Sequence, residues 1–162
     1  MITDIQRKNL IDLADFLDRH VPPPNFGMNC FVKPADIFPD NDDPNENPNL
    51  ATPEVYNQCG TVACAVGHGP LMGLKPLPED TWYDYSYRNF GATMTYSTTT
   101  GERVAAESDD LWAWLFDGRW HQTDNTAKGA AARIRWYLEN GTPENARDMR
   151  RGEVPLCYKV EE

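Results

Sequence analysis

Apolar residues near the N-terminus recur at helical spacing. Leu10, Leu13, Ala14 and Leu17 share one stripe, broadened by Ile5 and Phe16, with charged residues between them. Ahead of the stripe, Thr3-Asp4-Ile5-Gln6 has capping-box form, in which a hydroxyl takes an early backbone N–H and a Gln three residues on reaches back. Val21-Pro22-Pro23-Pro24 cannot continue a helix, so the pattern predicts one from the capping box to about His20.

Periodicity then lapses. Pro34, Pro39, Pro44, Pro48 and Pro53 recur too often for regular structure, and residues 21–58 read as irregular. Phe26, Met28, Phe31, Ile37 and Phe38 would tack this stretch onto the core. Its acidic part, 36–47, lacks the turn glycine and distant bidentate Glu of a calcium loop, with Pro44 at a ligand position, and reads as a solvated surface loop. The segment Cys59-Gly60-Thr61-Val62-Ala63-Cys64-Ala65-Val66-Gly67-His68 is small nearly all round. It reads as a helix from Cys59 or Gly60 to Gly67 or His68, central and buried because its neighbours can approach closely.

Residues 82–90 fit both strand alternation and a helical face, and a short helix ending at Gly91 is the preferred reading. Residues 93–101 are polar and β-prone, an exposed hairpin arm or loop. Ser108 as N-cap, the acidic Asp109 and Asp110, and then Leu111, Trp112, Trp114, Leu115 and Phe116 predict a buried helix stopped by Gly118. A last strong helix begins at Asp124 or Asn125, buries Ala130, Ala131, Ile134, Tyr137 and Leu138, and ends at Gly141-Thr142-Pro143. Lys128, Arg133, Arg135 and Glu139 lie off that stripe. Residues 144–162 form a peripheral tail, with a short strand or docked segment at 154–160. The expected fold is a mainly α single domain spanning 1–162, with α+β as the alternative, built on a central small-residue helix and long Pro-rich loops.

Composition narrows the function. The 162 residues carry 25 acidic and 15 basic side chains, a formal net charge of −10, which repels phosphate backbones and disfavours direct nucleic-acid binding. No run approaches the roughly 18 apolar residues of a membrane span, and the polar start at Met1-Ile2-Thr3-Asp4 lacks the form of a secretory signal. The expected location is the cytoplasm of a bacterium or a phage-infected cell. There the four cysteines, Cys30, Cys59, Cys64 and Cys157, are expected as thiols. Gly67-His68-Gly69-Pro70 lacks the Lys and spacing of a phosphate loop, and no cofactor is expected.

Cys-Gly-Thr-x-x-Cys-x-x-Gly-His at 59–68, Leu-Phe-x-x-x-Trp at 115–120 and the Ala-Ala-x-Arg-Ile-Arg helix at 131–141 resemble a family of small uncharacterised proteins from bacteria and their phages. That resemblance implies no particular activity. Gln58-Cys59-Gly60 before a small-residue segment also resembles papain-like cysteine peptidases, where a helix start stabilises the thiolate. The resemblance implies Cys59 as nucleophile, His121 as base, and Asp124 or Asn125 as the orienting group. The alternative for Cys59 is a small residue in a close-packed helix.

Cys64 and His68, at i and i+4 on one helical face, have suitable spacing for two zinc ligands, completed by Cys30, Cys157, His20 or His121. A structural thiol and a hydrogen-bonded core histidine are the alternative and the preferred reading. Trp82, Tyr83, Tyr85, Tyr87, Trp112, Trp114, Trp120 and Trp136 are mostly expected in the core, as aromatics at helical spacing usually are. Trp82, Tyr83 and Tyr85 beside Arg88, or rings near Arg119, would make a contact patch for a protein or small ligand. The function expected is a small acidic cytoplasmic binding or interaction protein, a phage or bacterial accessory factor. A cysteine-dependent hydrolase is the first alternative and a zinc-binding domain the second.

Overall fold

The structure is a computed structural model, and it describes residues 1–34, 43–58, 60–94, 106–143 and 146. In chain order these form helix α1 (Asp4–His20), strand β1 (Val32–Lys33), one-turn α2 (Pro53–Tyr56), strand β2 (Val62–Ala63), a 3-10 segment (Val66–Met72), α3 (Trp82–Phe90), α4 (Ala106–Leu115), one-turn α5 (Trp120–Thr123) and α6 (Ala127–Asn140). The architecture is mainly helical with one small two-stranded antiparallel sheet.

The predicted capping box opens α1, with Gln6 N–H on Thr3 Oγ1 at 3.2 Å and Thr3 N–H on Gln6 Oε1 at 2.9 Å. The same Gln6 then reaches out: its Nε2 donates to the Tyr87 carbonyl at 2.9 Å. One turn on, the buried Asn9 donates to the Asn89 carbonyl at 3.0 Å. Both carbonyls belong to the last turn of α3: that of Tyr87 also accepts Gly91 N–H at 2.8 Å, whereas that of Asn89 has no intrahelical N–H left to take it, so α1 adds donors at the C-terminal end of α3. On its other side α1 buries Leu10, Leu13, Ala14 and Leu17 in the core shared with α6, whose Ala130, Ala131 and Ile134 are fully buried. Arg135 clamps the pair through Asp15 at 3.0 Å and Asp18 at 3.2 Å.

Two starts differ from expectation. Ser108 is a buried residue inside α4, which begins at Ala106, and α6 is capped by Thr126, whose Oγ1 accepts Gly129 N–H at 2.9 Å. Arg133 lies off the apolar stripe yet is completely buried. It pairs with Asp124 at 3.1 Å, and its guanidinium lies 4.0 Å from the Trp120 ring centroid, so a partner charge and an aromatic face replace water around it. The turns α2 and α5 are too short to leave a periodic signal.

The larger correction concerns the small-residue segment. It is central and largely buried from Thr61 onward, but it is not one α-helix: Val66–His68 alone is helical, as the start of the 3-10 segment. Gly60 turns the chain at φ +87°, and Val62–Ala63 pairs antiparallel with β1, Ala63 opposite Val32. Cys64 N–H then reaches the carbonyls of Cys30 and Phe31, both at 3.2 Å, before the 3-10 segment begins. A short run of small apolar residues has no period to separate strand from helix, and here the distant partner strand decides. Close packing was the correct part of the reading. A Cβ on Gly67 would stand 1.9 Å from the Phe31 carbonyl oxygen, and one on Gly69 2.3 Å from the Tyr85 hydroxyl.

Phe26 and Met28 are buried as expected, while Ile37 and Phe38 lie outside the described residues, as do the greater part of the acidic loop, residues 95–101 of the polar stretch and nearly all of the tail.

Gly67→Ala pushes a methyl into backbone that cannot turn away, at a cost of ~3 kcal/mol or more. Gly73, with φ +85° and nothing within 4 Å of its would-be Cβ, meets only the left-handed backbone penalty of ~1–2 kcal/mol. Thermal unfolding of the two alanine variants checks this: Gly67→Ala loses the more.

Candidate functional site

The residues singled out by sequence scatter. Cys59 lies outside the described residues. His121 is exposed on α5. Asp124 ends α5 with its carboxylate turned to Thr126 at 2.8 Å and to the buried Arg133. Asn125 accepts Met28 N–H at 2.7 Å. The acid and amide proposed to orient an imidazole are therefore both engaged in holding the start of α6.

Cys64 and His68 do not share a helical face, because Cys64 follows β2 and His68 sits in the 3-10 segment. Both are buried. His68 Nδ1 lies 2.9 Å from the Cys64 carbonyl, which can only accept, so Nδ1 carries the proton. Phe16, Phe26 and Tyr56 surround the imidazole with ring centroids 5.6–6.2 Å away. Burial in this aromatic cage lowers the His68 pKa to about 4, against the bond to the Cys64 carbonyl. Burial likewise pushes the Cys64 thiol up to about 12, although backbone N–H groups of Gly67 and Val66 favour its thiolate. Among the described residues no group of three His, Cys, Asp or Glu is placed to hold a metal.

The expected contact patch also divides. Trp82 and Tyr85 are core residues: the Trp82 indole donates to the Pro44 carbonyl at 2.8 Å and the Tyr85 hydroxyl to the Leu74 carbonyl at 2.9 Å. Each ring found an internal acceptor, so neither tip needs the surface. Arg88 is exposed, pairs with Asp80 and lies 5.8 Å from the Tyr85 ring centroid. Of the three rings of that patch, Tyr83 is the half-buried one.

Tyr83 faces a cleft of about 400 Å³ where the sheet meets α3 and α4, toward the lower end of the roughly 300–1,000 Å³ typical of ligand sites. Its aromatic side is continuous. Phe31 meets Tyr83 edge-on at 5.4 Å, Tyr83 lies 5.0 Å from Trp112, and Trp112 lies 5.7 Å from Phe116. Trp82 backs this group, stacked on Phe31 at 5.4 Å with the planes 7° apart. Met28 and Met94 complete the apolar lining.

Polar groups complete the cleft. Asn45 lines it, with its Oδ1 accepting Phe31 N–H at 2.8 Å and Val32 N–H at 3.3 Å. Asp117 and Arg119 lie just after α4; the carboxylate takes Arg119 backbone N–H at 2.9 Å, Nε at 2.7 Å and Nη2. That carboxylate holds the Arg119 pKa above its ordinary value, while burial and then the Asp117 charge raise that of Tyr83. Cys30 and Cys64 also line the cleft, and burial raises both thiols. Neutral thiols are weak nucleophiles. Sequence reasoning named Tyr83 and rings near Arg119 as contacts, Cys30 and Cys64 as metal ligands, and Met28, Phe31, Trp112 and Phe116 as core, but not Asn45 or Asp117, and not the site they form together. The Asp117-Gly118-Arg119 turn after an aromatic helix was the available signal.

Compared with family models, curated proteins and solved structures, the chain matches none. The resemblance to the bacterial and phage family rests on the motifs at 59–68, 115–120 and 131–141, and that to cysteine peptidases on Gln58-Cys59-Gly60.

A His68 that is neutral in the fold but titrates near 6.5 when unfolded makes the unfolded chain bind the extra proton between those values. Its contribution to stability is full above about pH 6.5, falls as pH is lowered, and levels off below about 4. The slope approaches ~1 kcal/mol per pH unit. Denaturant unfolding from pH 7.5 to 4 checks this against His68→Gln, which keeps a donor for Cys64 and loses that component of the slope.

Proposed function

We propose that this chain is a non-catalytic binding protein of the cytoplasm of a bacterium or a phage-infected cell, and that the cleft beside Tyr83 is where it takes its partner. One observation carries the reading: four aromatic rings, two methionines and a few polar groups converge on one cavity, while the thiols and the charged pair within it are poorly disposed for chemistry. Such apolar clefts with sparse polar groups are the usual form of a ligand site. The free thiols of Cys30 and Cys64 fit a reducing compartment. The accessory-factor role and phage origin draw on the motif at residues 59–68.

Protein-observed NMR with a fragment library tests the reading. Shifts are expected to gather on residues 28–31, 45, 83, 94 and 112–119. Hits that gather elsewhere, or none at all, would overturn it.

The hydrolase reading needs a thiolate at Cys59 with His121 and Asp124 beside it, and the zinc reading needs Cys64 and His68 to find further ligands. Support for either is thinner, since Asp124 is engaged with Arg133 and both Cys64 and His68 are enclosed. Iodoacetamide at pH 7.5, followed by peptide mapping, tests the hydrolase reading. Cys59 is expected to react no faster than free cysteine, and Cys64 at least 100-fold slower; a Cys59 that outpaces free cysteine restores the hydrolase.

A further inference from the structure

The polar inventory of the cleft restricts what can enter it. We infer that the cleft recognises a flat, uncharged aromatic ring carrying a hydrogen-bond acceptor, such as a carbonyl oxygen. This rests on the reading of the cleft as a binding site and adds the chemistry of its guest.

Shape is the first constraint. Phe31 stands perpendicular to Tyr83, and Trp112 is tilted 47° to Tyr83. The walls therefore offer faces and edges together, the arrangement in which a further flat ring finds both offset and edge contacts.

Charge is the second. Among the described lining residues, Asp117 and Arg119 are the charged ones, and they neutralise each other through two side-chain hydrogen bonds. An ionic guest would lose water and meet no unmatched opposite charge, which costs free energy that apolar contact must offset.

Hydrogen bonding is the third. Both backbone N–H groups at the start of β1 point to Asn45 Oδ1, which fixes the other end of that amide as the NH2. That NH2 has no partner among the described residues, and neither does the Tyr83 hydroxyl. Asn45 is half-buried and its NH2 still reaches water in the open cleft; a guest that displaces that water must supply an oxygen in its place, because a donor enclosed without an acceptor is unfavourable.

An isosteric panel tests the inference by calorimetry. Benzamide has the ring and the neutral acceptor, benzoate is its anionic counterpart, benzamidine its cationic one, and cyclohexanecarboxamide keeps the amide without the ring. Benzamide is expected to bind at least tenfold more tightly than each of the others. Asn45→Asp keeps an oxygen for Phe31 and Val32 while removing the NH2, and is expected to weaken benzamide at least tenfold. Tyr83→Phe, which keeps the ring, gives a second measure should Asn45→Asp unfold. The inference is overturned if a charged or non-aromatic member binds as tightly as benzamide, or if benzamide is unaffected by both substitutions. It is also overturned if NMR hits fill the cleft with other chemistry while all four compounds fail, an outcome that leaves the binding cleft standing. A cleft that takes no fragment at all removes both readings.

Discussion

The backbone of Phe31 is the point on which this fold turns. Its carbonyl accepts the N–H of Cys64 and lies against Gly67 so closely that no side chain fits between. Its N–H is taken by Asn45 from another loop. Held from both sides, the residue cannot rotate away, and its ring is fixed between Trp82 behind and Tyr83 and Trp112 beside it. The glycines of the small-residue segment thus serve a contact some thirty residues upstream in the chain. Replace the close approach at Gly67 with a methyl, and sheet, 3-10 segment and cleft must all shift together, because packed interiors have little free volume to absorb it.

A second level of organisation comes from helix ends. The last carbonyls of α3 are not left to water; Gln6 and Asn9 of α1 take them. Gln6 serves twice, with its oxygen on its own helix start and its nitrogen on the end of another. Since α3 carries both Trp82 and Tyr83, this anchoring sets the height of the cleft's aromatic side. The Trp114 indole does the same for α4, donating to the Arg133 carbonyl of α6 at 3.0 Å.

These relations explain what the sequence could disclose. The span of α1 and its capping box, the helix at 82–90 with its Gly91 stop, and the C-terminal end of α6 follow from local rules of period and cap, and they were legible. The segment at 59–68 announced that something must pass close to it, but which partner and in what geometry depended on pairing with Val32. No local rule reaches that far. The aromatic helix shows the same limit at finer grain. Trp82, Tyr83 and Tyr85 look alike in sequence, yet Trp82 and Tyr85 find carbonyls to bond inside the protein, while Tyr83 finds none among the described residues. Asn45 illustrates it most plainly, since its role exists only once Phe31 and Val32 stand opposite it.

Charge acts at two distances here, and the two need separate arguments. The net charge of −10 is a property of the whole surface, which at physiological salt is felt over roughly one Debye length, ~8 Å, and discourages polyanions from approaching. Within the cleft, the Asp117–Arg119 pair cancels locally, so the acidic surface does not make the interior of the site acidic. Among the described lining residues a cation drawn toward the surface gains no unmatched carboxylate, and an anion, already opposed by the outer field, gains no unmatched cation. An uncharged guest is the class to which the outer field is nearly indifferent and for which the inner walls require no ion to be stripped of water. On the proposed reading, the surface therefore governs who can approach, while Phe31, Tyr83, Trp112 and the Asn45 amide govern who can stay.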